Sequence, residues 1–260
     1  MKRSVVVPVQ DEHGLCPFDP GQLDNDLEQI SELGYEGVEL GITDPKTVSV
    51  DEIREKLDDN QLELSALTTG QAYGVEGISL TERDPGKRKM ARERLKAHID
   101  FASNFEDTPV IIGSLRGAGK DEPPFRWLTS NLAEVADYAE EKEVKIAFEP
   151  LNRYESSLVN NVEEVLEVIE EVNSSELGVL FDTFHANIEE ASITESIELV
   201  ADKLVYVHLA DSNRWAPGYG HIDFGAVLST LEGVGYDGFC SLESLPKPDR
   251  ESSLRALLEI

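Results

Sequence analysis

The sequence predicts an α/β protein folded as a closed (β/α)8 TIM barrel, with residues 1–260 forming one domain. Three observations lead there. Short β-branched runs alternate with amphipathic segments along the whole chain, a pattern that implies parallel strands joined by right-handed crossovers. Eight such runs fit within 260 residues, the size at which a barrel of this kind closes. The competing open, doubly wound sheet usually carries a glycine-rich phosphate turn after its first strand, and VPVQDEHGLC at 7–16 carries none.

SVVVPV (4–9) is the first strand, because three consecutive valines favour extended backbone. LDNDLEQISELG (23–34) then repeats apolar residues at three- and four-residue spacing and stops at Gly34. GVEL (37–40) is the second strand, and VDEIREKLDDN (50–60) is a helix stopped at Asn60. LELSAL (62–67) precedes the long amphipathic stretch GKRKMARERLKAHIDFA (86–102), and PVIIGS (109–114) precedes LTSNLAEVADYAEEK (128–142). VKIAFE (144–149) pairs with VEEVLEVIEEV (162–172), and LGVLFD (177–182) with ITESIELVADK (193–203). LVYVH (204–208) leads to FGAVLSTLEGVG (224–235), stopped at Gly235, and GFCSLE (238–243) leads to a short last helix within ESSLRALLEI (251–260). RGAGK (116–120) is glycine-rich but lacks the spacing and the Ser/Thr of a phosphate-binding loop.

Composition narrows the function classes. The hydrophobic fraction of 40% supplies a sizeable core, and no apolar run approaches the roughly 20 residues needed to cross a bilayer. The N-terminal MKRSVVVPVQDEHG lacks the pattern of a secretory signal, so the expected location is cytoplasmic. Cys16 and Cys240 are too few for a disulfide framework and lack metal-type spacing, so both are expected to be packed free thiols. With 52 acidic against 23 basic residues the net charge is −29, which repels nucleic acid and anionic membranes alike. These charges are spread along helical segments such as DEIREKLDD and EEVLEVIEEV, the pattern of a solvated surface rather than of a disordered tail.

The chemistry gathers at strand ends. Glu149, Asp182, His208 and Glu243 each close one of the last four strands, at the carboxyl ends where barrel active sites form. Side chains alternate along a strand, so each shares its face with Ala147, Leu180, Tyr206 or Ser241, while Phe148, Phe181, Val207 and Leu242 face the helices. Three carboxylates and an imidazole converging there repel one another unless a cation joins them, and the oxygen and nitrogen donors suit Mn2+, with Mg2+ or Co2+ as alternatives. A metal that polarises a ketone and its neighbouring hydroxyl acidifies the adjacent C–H by stabilising an enediolate. Glu149 and Glu243, on nonadjacent strands, can then move protons on opposite faces, giving an epimer. Transfers on a single face would give aldose–ketose isomerisation instead, and spacing alone leaves both open.

FEPLNRYES (148–156), LFDTFHANIEE (180–190), VHLADSNRWAPGYGHIDF (207–224) and SLES (241–244) together resemble the D-tagatose 3-epimerase group of xylose-isomerase-like barrels. LTTGQAYGVEGISLTERD (67–84) and VIIGSLRG (110–117) resemble the 5-keto-L-gluconate epimerase branch, which acts on keto-sugar acids. The resemblance implies that Glu149, Asp182, His208 and Glu243 are metal ligands, with Glu149 and Glu243 also the proton-transfer pair. It further implies that His185 and Arg214 hold the carbonyl end of a small carbohydrate substrate and that Glu155 orients His185. Arg116 is a candidate partner for a substrate carboxylate, because a planar guanidinium suits that group. Trp215 and Tyr73 are candidates for the pocket wall. A homodimer or homotetramer also follows from the resemblance, and the short last helix is expected to alter packing at the barrel base or a subunit contact.

Two rival reactions share this fold. The same enolate can expel a hydroxyl, as in an inosose-dehydratase-like lyase. Abasic-site DNA cleavage recruits extra histidines from the early strands, where this chain has only His13 and His98, and the charge of −29 opposes phosphate contact. The acidity itself suggests a salt-rich cytoplasm whose counterions screen self-repulsion. The melting temperature should therefore rise from dilute buffer to molar KCl, and a flat or falling profile would count against that origin of the charge.

Overall fold

The structure, a computed structural model, describes residues 1–11, 14–119 and 122–260, so His13 and the Lys120 of RGAGK lie outside the described residues. Eight parallel strands close in chain order: β1 (Lys2–Pro8), β2 (Gly37–Gly41), β3 (Glu63–Thr68), β4 (Val110–Ile112), β5 (Ile146–Phe148), β6 (Leu177–Asp182), β7 (Leu204–Leu209) and β8 (Phe239–Leu242). β1 pairs with β8, Ser4 opposite Ser241, so no strand is left as an edge. Around it lie α1 (Leu23–Leu33), α2 (Val50–Asn60), α3 (Gly70–Glu76), α4 (Pro85–Ala102), α5 (Glu122–Lys142), α6 (Val162–Val172), α7 (Thr183–Glu189), α8 (Ile193–Val200), α9 (Phe224–Gly233) and α10 (Arg250–Ala256). Each predicted strand is present. Side-chain caps start several helices where the sequence places a short polar residue, among them Ser49 for α2, Asn161 for α6 and Ser192 for α8.

Some boundaries differ from the sequence expectation. α3 and α7 are each seven residues long, too short to show a helical period. α5 begins six residues earlier than its apolar period, with Pro123 and Pro124 in its first turn, where a missing N–H costs nothing. Residues 114–116 and 201–203 form 3-10 turns rather than extending β4 and α8. Gly34 ends α1 in the left-handed conformation as anticipated, but Asn60 is still helical and Gln61 (φ 56°) takes that position after α2. α9 stops at Gly233, two residues before the left-handed Gly235.

The inside–outside alternation holds. Ala66, Ile111, Ala147, Leu180 and Tyr206 fill the barrel interior, whereas Phe148, Phe181, Val207 and Leu242 belong to the larger layer between strands and helices. Both cysteines are buried free thiols, and burial pushes Cys16 up to about 12 and Cys240 up to about 11, keeping them protonated. No helix among the described residues is long and apolar enough to cross a membrane.

Tyr206 forms the floor beneath the polar strand ends. Its buried hydroxyl lies 2.7 Å from Ser65 Oγ and 3.1 Å from Ser4 Oγ, so three strands share one hydrogen-bonded plug. Tyr206→Phe leaves two buried hydroxyls short of a partner and should cost about 1–3 kcal/mol in urea unfolding. A loss under about 0.5 kcal/mol would show that the plug does not hold the barrel together.

Candidate metal centre and active site

The strand register brings the four polar ends together. Asp182 pairs directly with His208 across β6 and β7; His208 pairs with Ser241, and Glu243 follows two residues later, just past β8. Glu149 follows β5 and is held there by its backbone N–H donating to the Ile112 carbonyl at 3.1 Å. One ligand atom from each of Glu149, Asp182, His208 and Glu243 lies within 4.8 Å of the others, and all four residues are buried. Gly113, just beyond β4, makes room: a Cβ there would stand 2.5 Å from Glu149 Oε2.

Burial makes this cluster costly without compensation. Desolvation, reinforced by Glu243 and Asp182, pushes the Glu149 carboxyl up to about 7. Desolvation likewise pushes Asp182 up to about 6, with Glu243 adding to it against the pull of Arg214. Burial works against a charged His208, yet the carboxylates of Glu39 and Glu243 raise it well above the usual imidazole range. Glu149 Oε1 and His208 Nδ1 are buried without a hydrogen-bond partner, and Asp182 Oδ2, also without one, is met by the charge of Arg214. The two orphaned atoms, with three carboxylates and one imidazole as donors, fit a hard or borderline divalent cation.

Two supports were not evident from sequence. Glu39, buried in β2 on the far side of the barrel, lies with Oε2 2.9 Å from His208 Nε2. That contact orients the ring so that Nδ1 faces the other three groups, the outer-shell arrangement usual for a metal-binding histidine. The clue was a lone carboxylate between Val38 and Leu40 in an otherwise apolar strand. The second support is the cap of α7, where Asp182 Oδ1 accepts the Phe184 N–H at 2.7 Å and leaves Oδ2 for the cluster.

Arg214 and His185 complete the mouth. Arg214 has left-handed backbone (φ 64°) and places Nη1 3.1 Å from Asp182 Oδ2, Nη2 against Glu243 Oε2 and its guanidinium 4.6 Å from the Phe184 ring centre. Its loop is anchored by Asp211, whose carboxylate accepts backbone N–H groups of Ser212, Gly218, Gly220 and Ile222 at 2.7–3.1 Å. Burial opposes the charge on Asp211, but these four donors hold it below the usual carboxylate range. A Cβ on Gly220 would collide with Asp211, so glycine is required there. His185 Nε2 lies 3.6 Å from Glu149 Oε1 and 3.7 Å from Asp182 Oδ2, and burial, with Arg214 adding to it, drives the ring well below its ordinary pKa.

Glu155 and Arg116 lie farther from the cluster, each behind another group. Glu155 does not touch His185 through any hydrogen bond recorded for either; Asn152 stands between them, bonded to Glu155 Oε1 and to His185 Nδ1, both at 2.8 Å. Arg116 is wholly buried, stacked 5.0 Å from the Phe148 ring centre and donating to the Leu158 and Val159 carbonyls at 3.4 and 3.0 Å. Its Nη1 braces the loop after β5, while Nε and Nη2 are buried without a hydrogen-bond partner. Trp215 is half-buried in the loop after β7. Tyr73 lines a cavity of about 790 Å3 with Ser79, Thr81, Trp127 and Ser157, and none of the four clustered residues lines that cavity.

A closed parallel barrel with a buried Glu/Asp/His/Glu cluster at the carboxyl ends of its last four strands defines a class of barrel proteins whose mouth could hold a metal ion. The chain belongs to the xylose isomerase-like TIM barrel family, which matches residues 27–260. It is 30% identical over 241 residues to the ketose 3-epimerase of Arthrobacter globiformis, covering 89% of this chain and 82% of that one. It is 36% identical over 233 residues to the D-psicose 3-epimerase of Enterocloster bolteae, covering 84% and 75%. Among solved structures, the 3-keto-D-glucoside 4-epimerase of E. coli superposes with a TM-score of 0.83 at 18% identity, over 100% of this chain and 98% of that one, which shows the shared fold.

Protons compete with a cation for Glu149 and Asp182, so added Mn2+ should raise the melting temperature more at pH 8 than at pH 5, as groups at about 7 and about 6 ionise. His208→Ala should lower the Mn2+ retained in equilibrium dialysis at pH 8. Unchanged occupancy would remove His208 from the ligand set.

Proposed function

We propose that the chain is a divalent-metal-dependent epimerase of a keto sugar, inverting the carbon next to the carbonyl of a ketose through an enediolate. Glu149, Asp182, His208 and Glu243 would hold the cation, with Mn2+ the first choice and Mg2+ or Co2+ as alternatives. When bound there, it supplies Lewis-acid polarisation of a ketone and its neighbouring hydroxyl. The observation that carries the reading is the placement of Glu149 and Glu243 on nonadjacent strands, both within the 4.8 Å cluster, with Arg214 and His185 beside them. The relatives that carry ketose 3-epimerase and D-psicose 3-epimerase activity in their names support the same chemistry.

On this reading one glutamate removes the proton from the carbon beside the carbonyl, and the other delivers a proton to the opposite face. Arg214 fixes the Glu243 carboxylate through their ion pair, and the hydrogen-bond donors of Arg214 and His185 face the oxygen where negative charge develops. Burial of the cluster keeps water from competing for that oxygen. The substrate we favour is a neutral ketose. A keto-sugar acid of the 5-keto-L-gluconate or D-tagaturonate kind is the second reading, supported by the buried Nε and Nη2 of Arg116, which have no hydrogen-bond partner.

The deciding experiment is proton NMR in D2O with Mn2+-supplemented protein, then quenched and freed of metal, against ketohexoses, ketopentoses and keto-uronates. Deuterium should enter the carbon beside the carbonyl and the epimer should accumulate. An aldose product would make the chain an isomerase, a dehydrated one a lyase, and no exchange with any substrate would sink the enediolate mechanism. Glu243→Gln should lower kcat by about 10²–10⁴-fold without loss of fold by circular dichroism. A variant with near-full activity would remove Glu243 from proton transfer.

A further inference from the structure

The side-chain amide of Asn152, buried at the start of the loop after β5, fits its surroundings in one orientation. Its Oδ1 accepts the Tyr154 N–H at 2.9 Å, so Nδ2 faces the other way, toward Glu155 Oε1 and His185 Nδ1. A flipped amide would set its NH2 group against the Tyr154 N–H and its oxygen against the Glu155 carboxylate, losing both bonds. The Asn152 backbone N–H also donates to His185 Nδ1, at 3.2 Å. A ring nitrogen that accepts N–H donors presents a lone pair, so neutral His185 carries its hydrogen on Nε2.

We propose that Asn152 is a positioning residue that fixes the Nε2–H tautomer of His185, with the solvent-exposed Glu155 acting on the ring only through it. The consequence lies on the far side of the ring. Arg214 Nη1 also directs a donor at His185 Nε2, at 3.3 Å the longest of the ring's three hydrogen-bond contacts; with Nδ1 taken by two closer N–H groups, the ring hydrogen is left on Nε2 and two N–H donors share one space. Donors so placed repel unless an acceptor lies between them, and a carbonyl or enediolate oxygen has lone pairs for both. The opposite tautomer would put a lone pair there and favour a hydroxyl, which can donate, over a carbonyl, which cannot. Asn152 thereby selects the oxidation level of the oxygen bound at that point, an inference that rests on the keto-sugar reading of the site.

The test is the comparison of Asn152→Asp with Asn152→Ala in Mg2+-supplemented protein, together with 15N NMR of the His185 ring. In the parent protein the ring should show the Nε2–H form. Aspartate is nearly isosteric but accepts a hydrogen, so it should move the ring hydrogen to Nδ1 and lower kcat by at least about a hundredfold, the usual cost of losing one such donor. Alanine leaves the backbone N–H in place and should cost less, an order opposite to the one a packing role predicts. Asn152→Asp combined with Glu155→Gln relieves the facing carboxylates and should remain slow. Metal content should not change in any of these variants. An aspartate variant within about threefold of the parent, an alanine variant slower than the aspartate one, or an Nδ1–H ring in the parent would overturn the proposal. If the parent exchanges no C–H in any keto sugar, the functional reading fails while the ring shifts still decide the tautomer.

Discussion

Several carboxylates held out of water at close range are the constraint around which this molecule is organised. At ångström separations in a poorly solvated setting, like charges cannot all persist without opposite charge beside them. Arg214 answers part of the demand through Asp182 and Glu243, and His208, between Glu39 and the cluster, answers another part. What remains is a set of buried donor atoms without hydrogens to bind, and a small divalent ion is the partner whose charge and coordination match it. The apolar packing of the barrel is then the means of keeping that demand from being relieved by bulk water.

Work is divided between strands and loops. The clustered carboxylates and imidazole sit on or one residue beyond strands, where ladder hydrogen bonds fix the backbone. Of the groups beside the cluster, His185 comes from α7 and Arg214 from the loop after β7, and the loops after β5 and β7 are each tied down at an internal point. Asp211 gathers four N–H groups of the loop after β7, while Arg116 and the bidentate Arg153–Glu189 pair hold the loop after β5. Long loops so anchored can vary in their outer residues without moving the inner ones.

Much of this was legible in the chain. Strand runs ending on Glu149, Asp182, His208 and Glu243 announced both the barrel and its polar mouth, because strand periodicity and chain order suffice to bring those ends together. Glu39 and Asn152 were not legible, for different reasons. Glu39 meets His208 across the barrel, a contact between residues 169 positions apart that no local pattern encodes. Asn152 lay within the FEPLNRYES stretch, but a resemblance that credits Glu155 does not show which side chain intervenes. Arg116 was legible only as a guanidinium near the site; that it stacks on Phe148 and donates from Nη1 to the Leu158 and Val159 carbonyls depends on contacts between residues far apart in the chain.

Asp182 divides its two oxygens between a helix start and the ion cluster, and this links events that are otherwise separate. Its rotamer is held by the first turn of α7, so one arm of the cluster is set by the helix itself. Conversely, an ion drawing on that carboxylate would also steady the turn bearing Phe184 and His185, coupling occupancy of the cluster to fraying of α7.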